Sequence, residues 1–185
     1  MKPIILASQS PRRKQLLEQA EINFTILVAH AKEDYPADMP TAEVPAYIAG
    51  NKADAVWQLQ QDAIIIAADT VVVLDNEIIG KPVDEADAVA ILHRLSGRMH
   101  EVITGCVIRS AQKSVTIQET TRVTFRKLNE EQIKHYVTNY KPYDKAGAYA
   151  IQEWIGLIGI EKIDGDFYNV MGLPVSQVIE ALQNF

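Results

Sequence analysis

The chain has 185 residues, 48% of them hydrophobic, 23% charged and 7% aromatic, a soluble globular balance that excludes disorder as the main state. A chain of this length buries roughly 70% of the surface its unfolded form exposes, so it needs no disulfide or structural metal to hold a core. A single domain over 1–185, with room for two lobes around a central cleft, is the expectation. The net charge of −6 repels polyanions and argues against nucleic acid as a partner. Cys106 is the only cysteine, the histidines 30, 93, 100 and 135 are scattered without zinc spacing, and no apolar run has bilayer or signal-peptide length. The sequence therefore reads as a cytoplasmic protein with no membrane partner.

Along the chain, Pro3 to Ala7 reads as a short buried strand, followed by a helix that Ser10 caps and Pro11 opens, running to about Gln19. Phe24 to Val28 reads as a second strand, and the acidic, proline-bearing segment from Ala31 to Pro40 as a loop. A long helix is expected from Thr41 to about Gln60. Ala63 to Leu74 is an apolar run broken only by Asp69-Thr70; an Asp75-Asn76 turn and Glu77 to Ile79 complete a hairpin. Asp84 caps a helix to Leu95 that Ser96-Gly97 closes. Met99 to Arg109 and Ser114 to Phe125 have strand character, and Asn129 caps a helix to about Val137. Ile155 to Ile163 and Phe167 to Met171 read as extended segments, and Pro174 to Leu182 as a final helix. The alternation defines an α/β class, with a mixed sheet flanked by helices because of the hairpins.

Three places invite chemistry. Ser8-Gln9-Ser10-Pro11-Arg12-Arg13 sits at a strand-to-helix turn, where free N–H groups and two hydroxyls attract anions. Two arginines in a first turn oppose the helix dipole, a conflict that a bound phosphate resolves; the plainer alternative is a solvated helix start with Ser10 as its cap. Asp69 lies inside an apolar strand and must be paired, hydrogen-bonded or metal-bound. It would then hold a divalent ion or take a proton from water, or else it is a strand-end or bulge residue satisfied by backbone N–H groups. Lys81 and Lys145 follow turns and can reach a phosphate, although most such lysines are plain surface residues. Glu33 and Asp34 offer oxygen ligands for Mg²⁺, with a solvated charge run as the alternative for Asp34, and His100 reads as structural or exposed.

Taken together, the motifs resemble the Maf family of nucleotide pyrophosphatases from residue 4 to residue 182, with a Maf/ITPase-like fold. They are Leu6-Ala7-Ser8-Gln9-Ser10-Pro11-Arg12-Arg13, Ala68-Asp69-Thr70-Val71-Val72, Gly80-Lys81-Pro82, Ser96-Gly97 with His100-Glu101-Val102 and Thr104-Gly105, the run from Asp144 to Gln152, and Asn169-Val170-Met171-Gly172-Leu173-Pro174. Six motifs in the right order are far more specific than any one.

The resemblance implies hydrolysis of a nucleoside triphosphate between the α and β phosphates with a divalent cation, Mg²⁺ or Mn²⁺, and a homodimer. Arg12-Arg13 and the closing Ile151-Gln152 resemble the branch acting on dTTP and UTP, with modified pyrimidine nucleotides as further substrates; the alternatives are a pyrophosphatase for 7-methyl-GTP or another non-canonical purine nucleotide and a nucleotide-binding regulator of septum formation. It implies Asp69 as proton acceptor, and Arg12, Thr70 and Gln152 as substrate-specificity positions. Ser8, Ser10, Arg13, Lys52 and Lys81 are expected at the phosphates, and Asp69 with Glu33 at the metal. One departure is Asn51-Lys52-Ala53, where family members often carry Glu-Lys-Ala.

Overall fold

The computed structural model describes residues 2–185. Its elements are β1 (Ile4–Leu6), α1 (Pro11–Gln19), β2 (Thr25–Ile26), α2 (Val44–Trp57), β3 (Ile64–Leu74), β4 (Glu77–Ile79), α3 (Glu85–Leu95), β5 (Met99–Arg109), β6 (Ser114–Phe125), α4 (Glu130–Tyr140), α5 (Trp154–Gly159), β7 (Ile160–Asp164), α6 (Phe167–Met171) and α7 (Val175–Leu182). The strands form one seven-stranded mixed sheet in the order β2-β1-β3-β5-β6-β7, with β4 also paired to β3. β1 runs parallel to β2 and β3, while the β3–β4 and β6–β7 pairs are antiparallel. The expected α/β class with a mixed sheet is the observed one.

Local chemistry explains most boundaries. Asp84 accepts the Asp87 N–H at 2.8 Å to start α3, and Asn129 and Gln132 form a reciprocal capping box at the start of α4. Asp75 and Asn76 both take positive φ, 53° and 62°, as the tight β3–β4 turn requires. α2 starts at Val44 rather than Thr41, with a proline in its first turn. Of the extended segment expected from Ile155 to Ile163, only the part within β7 (Ile160–Asp164) is strand, and Trp154–Gly159 is a helix; Phe167–Met171, also expected to be extended, is a helix as well. In the first, a short apolar run carries no usable period. In the second, Asp166 turns the chain by accepting the Tyr168 N–H at 2.7 Å, a local cap outweighing the aromatic strand preference.

The described residues divide into two compact units: the stretch up to Thr70 with Thr104–Glu119 and Gly172–Phe185, and Val71–Ile103 with Thr120–Met171. In the first, Ala49, Ala53 and Val56 of α2 pack on Ile5, Ile65, Ala67 and Val107 of the strands and on Ala7 just after β1. The small residues let helix and sheet approach closely. At Gly105 a Cβ would collide with the backbone of Pro45 and Ala46, so the glycine lets the start of α2 rest on β5. The second unit centres on Phe125, whose ring centroid lies 5.3 Å from that of His100 and 4.9 Å from that of Tyr149. Among the described residues, no helix is long and apolar enough to cross a membrane.

Candidate active site

The first unit gathers most of the predicted residues. Ser10 caps α1, its Oγ accepting the Arg13 N–H at 3.4 Å, and Ser8 Oγ accepts the Ser10 N–H at 3.2 Å. The first turn of α1 holds no acidic residue, so Arg12 and Arg13 set two positive charges at the positive end of the helix. Their fates differ: Arg12 is half-buried, whereas Arg13 is buried.

Three nitrogens of the Arg13 guanidinium are in use: Nε donates to the Gly172 carbonyl at 2.8 Å, Nη1 to Ser8 Oγ at 3.2 Å and Nη2 to Thr70 Oγ1 at 3.0 Å. Thr70 Oγ1 also lies 2.9 Å from Thr104 Oγ1. Burial lowers the Arg13 pKa, a trend the negative charge of Asp69 opposes. This buried cation ties the turn after β1, the middle of β3 and the segment before α7 to one point.

Asp69 lies inside β3 rather than at its end, and its carboxylate accepts from a side chain, Lys52 Nζ, at 2.8 Å. Lys52 of α2 places Nζ 2.8 Å from Asp69 Oδ1 and 2.8 Å from Glu33 Oε1. Asp69 and Lys52 retain 20% and 19% side-chain exposure, so the pair is sheltered yet reachable by water and ligand, while Glu33 is 65% exposed. Asn51 donates from Nδ2 to the Lys32 carbonyl at 3.2 Å. That bond tethers the chain beside Glu33, a role the sequence pattern did not reveal. Thr104 and the Gly172 carbonyl were likewise visible only as motif letters, without a role. Two carboxylates on one ammonium form an oxygen set that suits a hard divalent cation. Among the described residues no group of three His, Cys, Asp or Glu converges to hold a metal, so water or substrate oxygens would have to complete any such shell.

In the second unit, Lys81 is exposed just after β4, beside Gly80, whose carbonyl accepts the Gly147 N–H at 3.1 Å. Gln152 is exposed. Lys145 is buried, its Nζ 2.8 Å from the exposed Asp144 Oδ1 and 3.6 Å from Glu153 Oε1, so its charge is already paired with carboxylates of this unit. His100 is buried and structural: Nε2 lies 2.7 Å from the Tyr149 hydroxyl, and burial pushes the imidazole pKa down to about 4. Burial also pushes the Cys106 thiol up to about 12, which leaves it an inert core residue.

A buried arginine at a helix start beside a lysine-held carboxylate is the chemistry of a phosphate-handling site. The Maf-like protein family model matches residues 3–185, and the chain belongs to the Maf family. It is 51% identical over 180 residues to a dTTP/UTP pyrophosphatase of Cytophaga hutchinsonii, covering 97% of this chain and 83% of that one. It is 46% identical over 184 residues to the protein of that name from Parabacteroides distasonis, covering 98% and 95% of the two chains. A dTTP/UTP pyrophosphatase of Bacillus cereus is 46% identical over 185 residues, covering 100% and 96%.

Proposed function

We propose that this protein is a nucleoside triphosphate pyrophosphatase that cleaves dTTP and UTP to the monophosphate and pyrophosphate. The observation that carries the reading is Asp69: a carboxylate inside an apolar strand, aimed by Lys52 and adjacent to the Arg13-bonded Thr70. Full-length similarity to relatives named for this activity supports it.

In this reading water attacks the α-phosphorus, its proton passes to the Asp69 carboxylate, and the bond from that phosphorus to the bridging oxygen breaks. Pyrophosphate leaves with the bond's electron pair. Asp69 orients the water as well as accepting its proton, a task for a partly sheltered carboxylate within hydrogen-bond reach. Arg12, Ser8, Ser10, Lys52 and Lys81 are assigned to the phosphate oxygens. Arg13, with three nitrogens already bonded, contributes its charge and holds the turn in place. Asp69 and Glu33 are the residues that fit a divalent cation, Mg²⁺ or Mn²⁺; when bound it would neutralise phosphate charge.

Base selection is assigned to Gln152, whose amide offers both an acceptor and a donor to the imide edge of a uracil or thymine ring. The thymine methyl is worth only about 1 to 3 kcal/mol of discrimination, so acceptance of both dTTP and UTP follows. The test is pyrophosphate release from dTTP, UTP, CTP, ITP and 7-methyl-GTP, with and without Mg²⁺. Turnover of dTTP and UTP above the rest is expected. A purine preference overturns the branch, and triphosphate binding without turnover makes the protein a regulator.

A further inference from the structure

Resting on the assignment of base selection to Gln152, we infer that Tyr136 is a positioning residue for base discrimination, acting through the turn that carries Gln152. Residues 150–153 form a tight turn closed by the Glu153 N–H donating to the Ala150 carbonyl at 3.1 Å, with Gln152 at its third position. A glutamine that reads a base edge discriminates only as well as its backbone is fixed, because its own side chain is flexible. The turn has its own brace.

The Tyr136 hydroxyl accepts the Ala150 N–H at 3.1 Å and donates its proton to Glu153 Oε2. One phenol oxygen thus grips both ends of the turn and leaves the exposed Gln152 between them. Tyr136 itself is fully buried on α4, and its ring stacks on Tyr140 with centroids 4.9 Å apart. Lys145 steadies the other carboxylate oxygen of Glu153 at 3.6 Å. α5, which follows directly, packs on the turn: a Cβ at Gly156 would collide with the Ile151 carbonyl, so only glycine permits this packing. No part of this brace need touch substrate. Its effect is to fix where the Gln152 amide begins.

The experiment is a double-mutant cycle on the full chain, reading kcat and KM for UTP and CTP in wild type, Tyr136→Phe, Gln152→Ala and the double variant. Tyr136→Phe is expected to raise KM for UTP about tenfold, leave kcat within about twofold and shrink the UTP-to-CTP preference about tenfold. On the Gln152→Ala background it should shrink the preference no further. Glu153→Ala, at a half-buried carboxylate, should shift the preference in the same direction without removing the Tyr136 bond to Ala150, and Glu153→Gln, which still accepts from Tyr136, should restore part of it. If Gln152→Ala abolishes the preference while folded Tyr136→Phe and Glu153→Ala both keep it, the positioning role is wrong and the base-edge assignment stands. The positioning role is equally wrong if the Tyr136 and Gln152 effects multiply. If Gln152→Ala leaves the preference intact, the assignment itself fails and the positioning role falls with it.

Discussion

Lys52 in the first unit and Lys145 in the second each sit between two carboxylates, yet they differ in where those carboxylates come from. Lys52 draws Asp69 from the middle of β3 and Glu33 from the loop before α2, both at 2.8 Å. Lys145 takes its own neighbour Asp144 at 2.8 Å, and at 3.6 Å reaches Glu153, which Tyr136 already holds. Ion pairs that leave water gain little net stability, because desolvation offsets attraction. A remote carboxylate inside an apolar strand is therefore poorly explained as a stabiliser and well explained as a reactant. The second arrangement is local and braces a turn. If this contrast holds, perturbing the first cluster should cost activity and perturbing the second should cost stability or selectivity.

The largest expected effect is that of Asp69→Asn. It keeps shape and a Lys52 hydrogen-bond acceptor but removes the base, so pyrophosphate release should fall about 10³-fold with little change in melting temperature. An active Asp69→Asn enzyme would erase the contrast. Next comes pH, where the second unit should respond through folding. His100 is pushed down to about 4 by burial, against an ordinary value of 6.5. The unfolded chain thus takes up a proton in a range where the folded chain does not, so this contribution is complete above pH 6.5 and is lost as pH falls towards 4. The loss amounts to about 3 kcal/mol. Thermal melts at pH 7 and pH 4.5 should show a steep decline in wild type and a shallower one in His100→Gln. Equal slopes would remove His100 as the cause.

The contrast was only partly legible in sequence. Caps and turn residues announced α1, α3, α4 and the β3–β4 hairpin, because each acts through hydrogen bonds to residues two or three positions away. Asp69 announced itself by its apolar surroundings, but its partner did not, since pairing with Lys52 depends on how α2 packs on the sheet. Arg13 was expected at the phosphates, and nothing beside it in sequence set it apart from Arg12 as the buried one. Its burial depends on the Gly172 carbonyl, 159 positions away along the chain, and no local pattern carries that information. The helix α5 was missed because a six-residue apolar segment shows no reliable period, and α6 because the turn made by Asp166 outweighs the strand preference of its aromatic residues.

A finer break in the comparison is Lys52→Met, expected to lower kcat/KM about 100-fold through loss of the group that aims Asp69 and meets phosphate charge. Glu33, at 65% exposure, stays solvated, whereas Asp69, at 20%, loses its partner, so a stability cost of about 1 to 2 kcal/mol should accompany the loss of activity.

The smallest effect is expected from Lys145→Met, and it has the opposite character. Its side chain is only 11% exposed, so the methionine stem fits where the lysine stem packed, while Asp144 at 60% exposure stays solvated. Glu153, at 25%, loses one charge partner but keeps the Tyr136 hydrogen bond. The cost should be about 1 kcal/mol of stability, at the scale of a partly screened pair, with kcat on UTP within about twofold of wild type. Urea unfolding and steady-state kinetics on the same preparation separate the outcomes. A kcat loss rivalling that of Lys52→Met would mean that both lysines serve the chemistry, and the division of labour between a reactive triad and a structural brace would have to be abandoned.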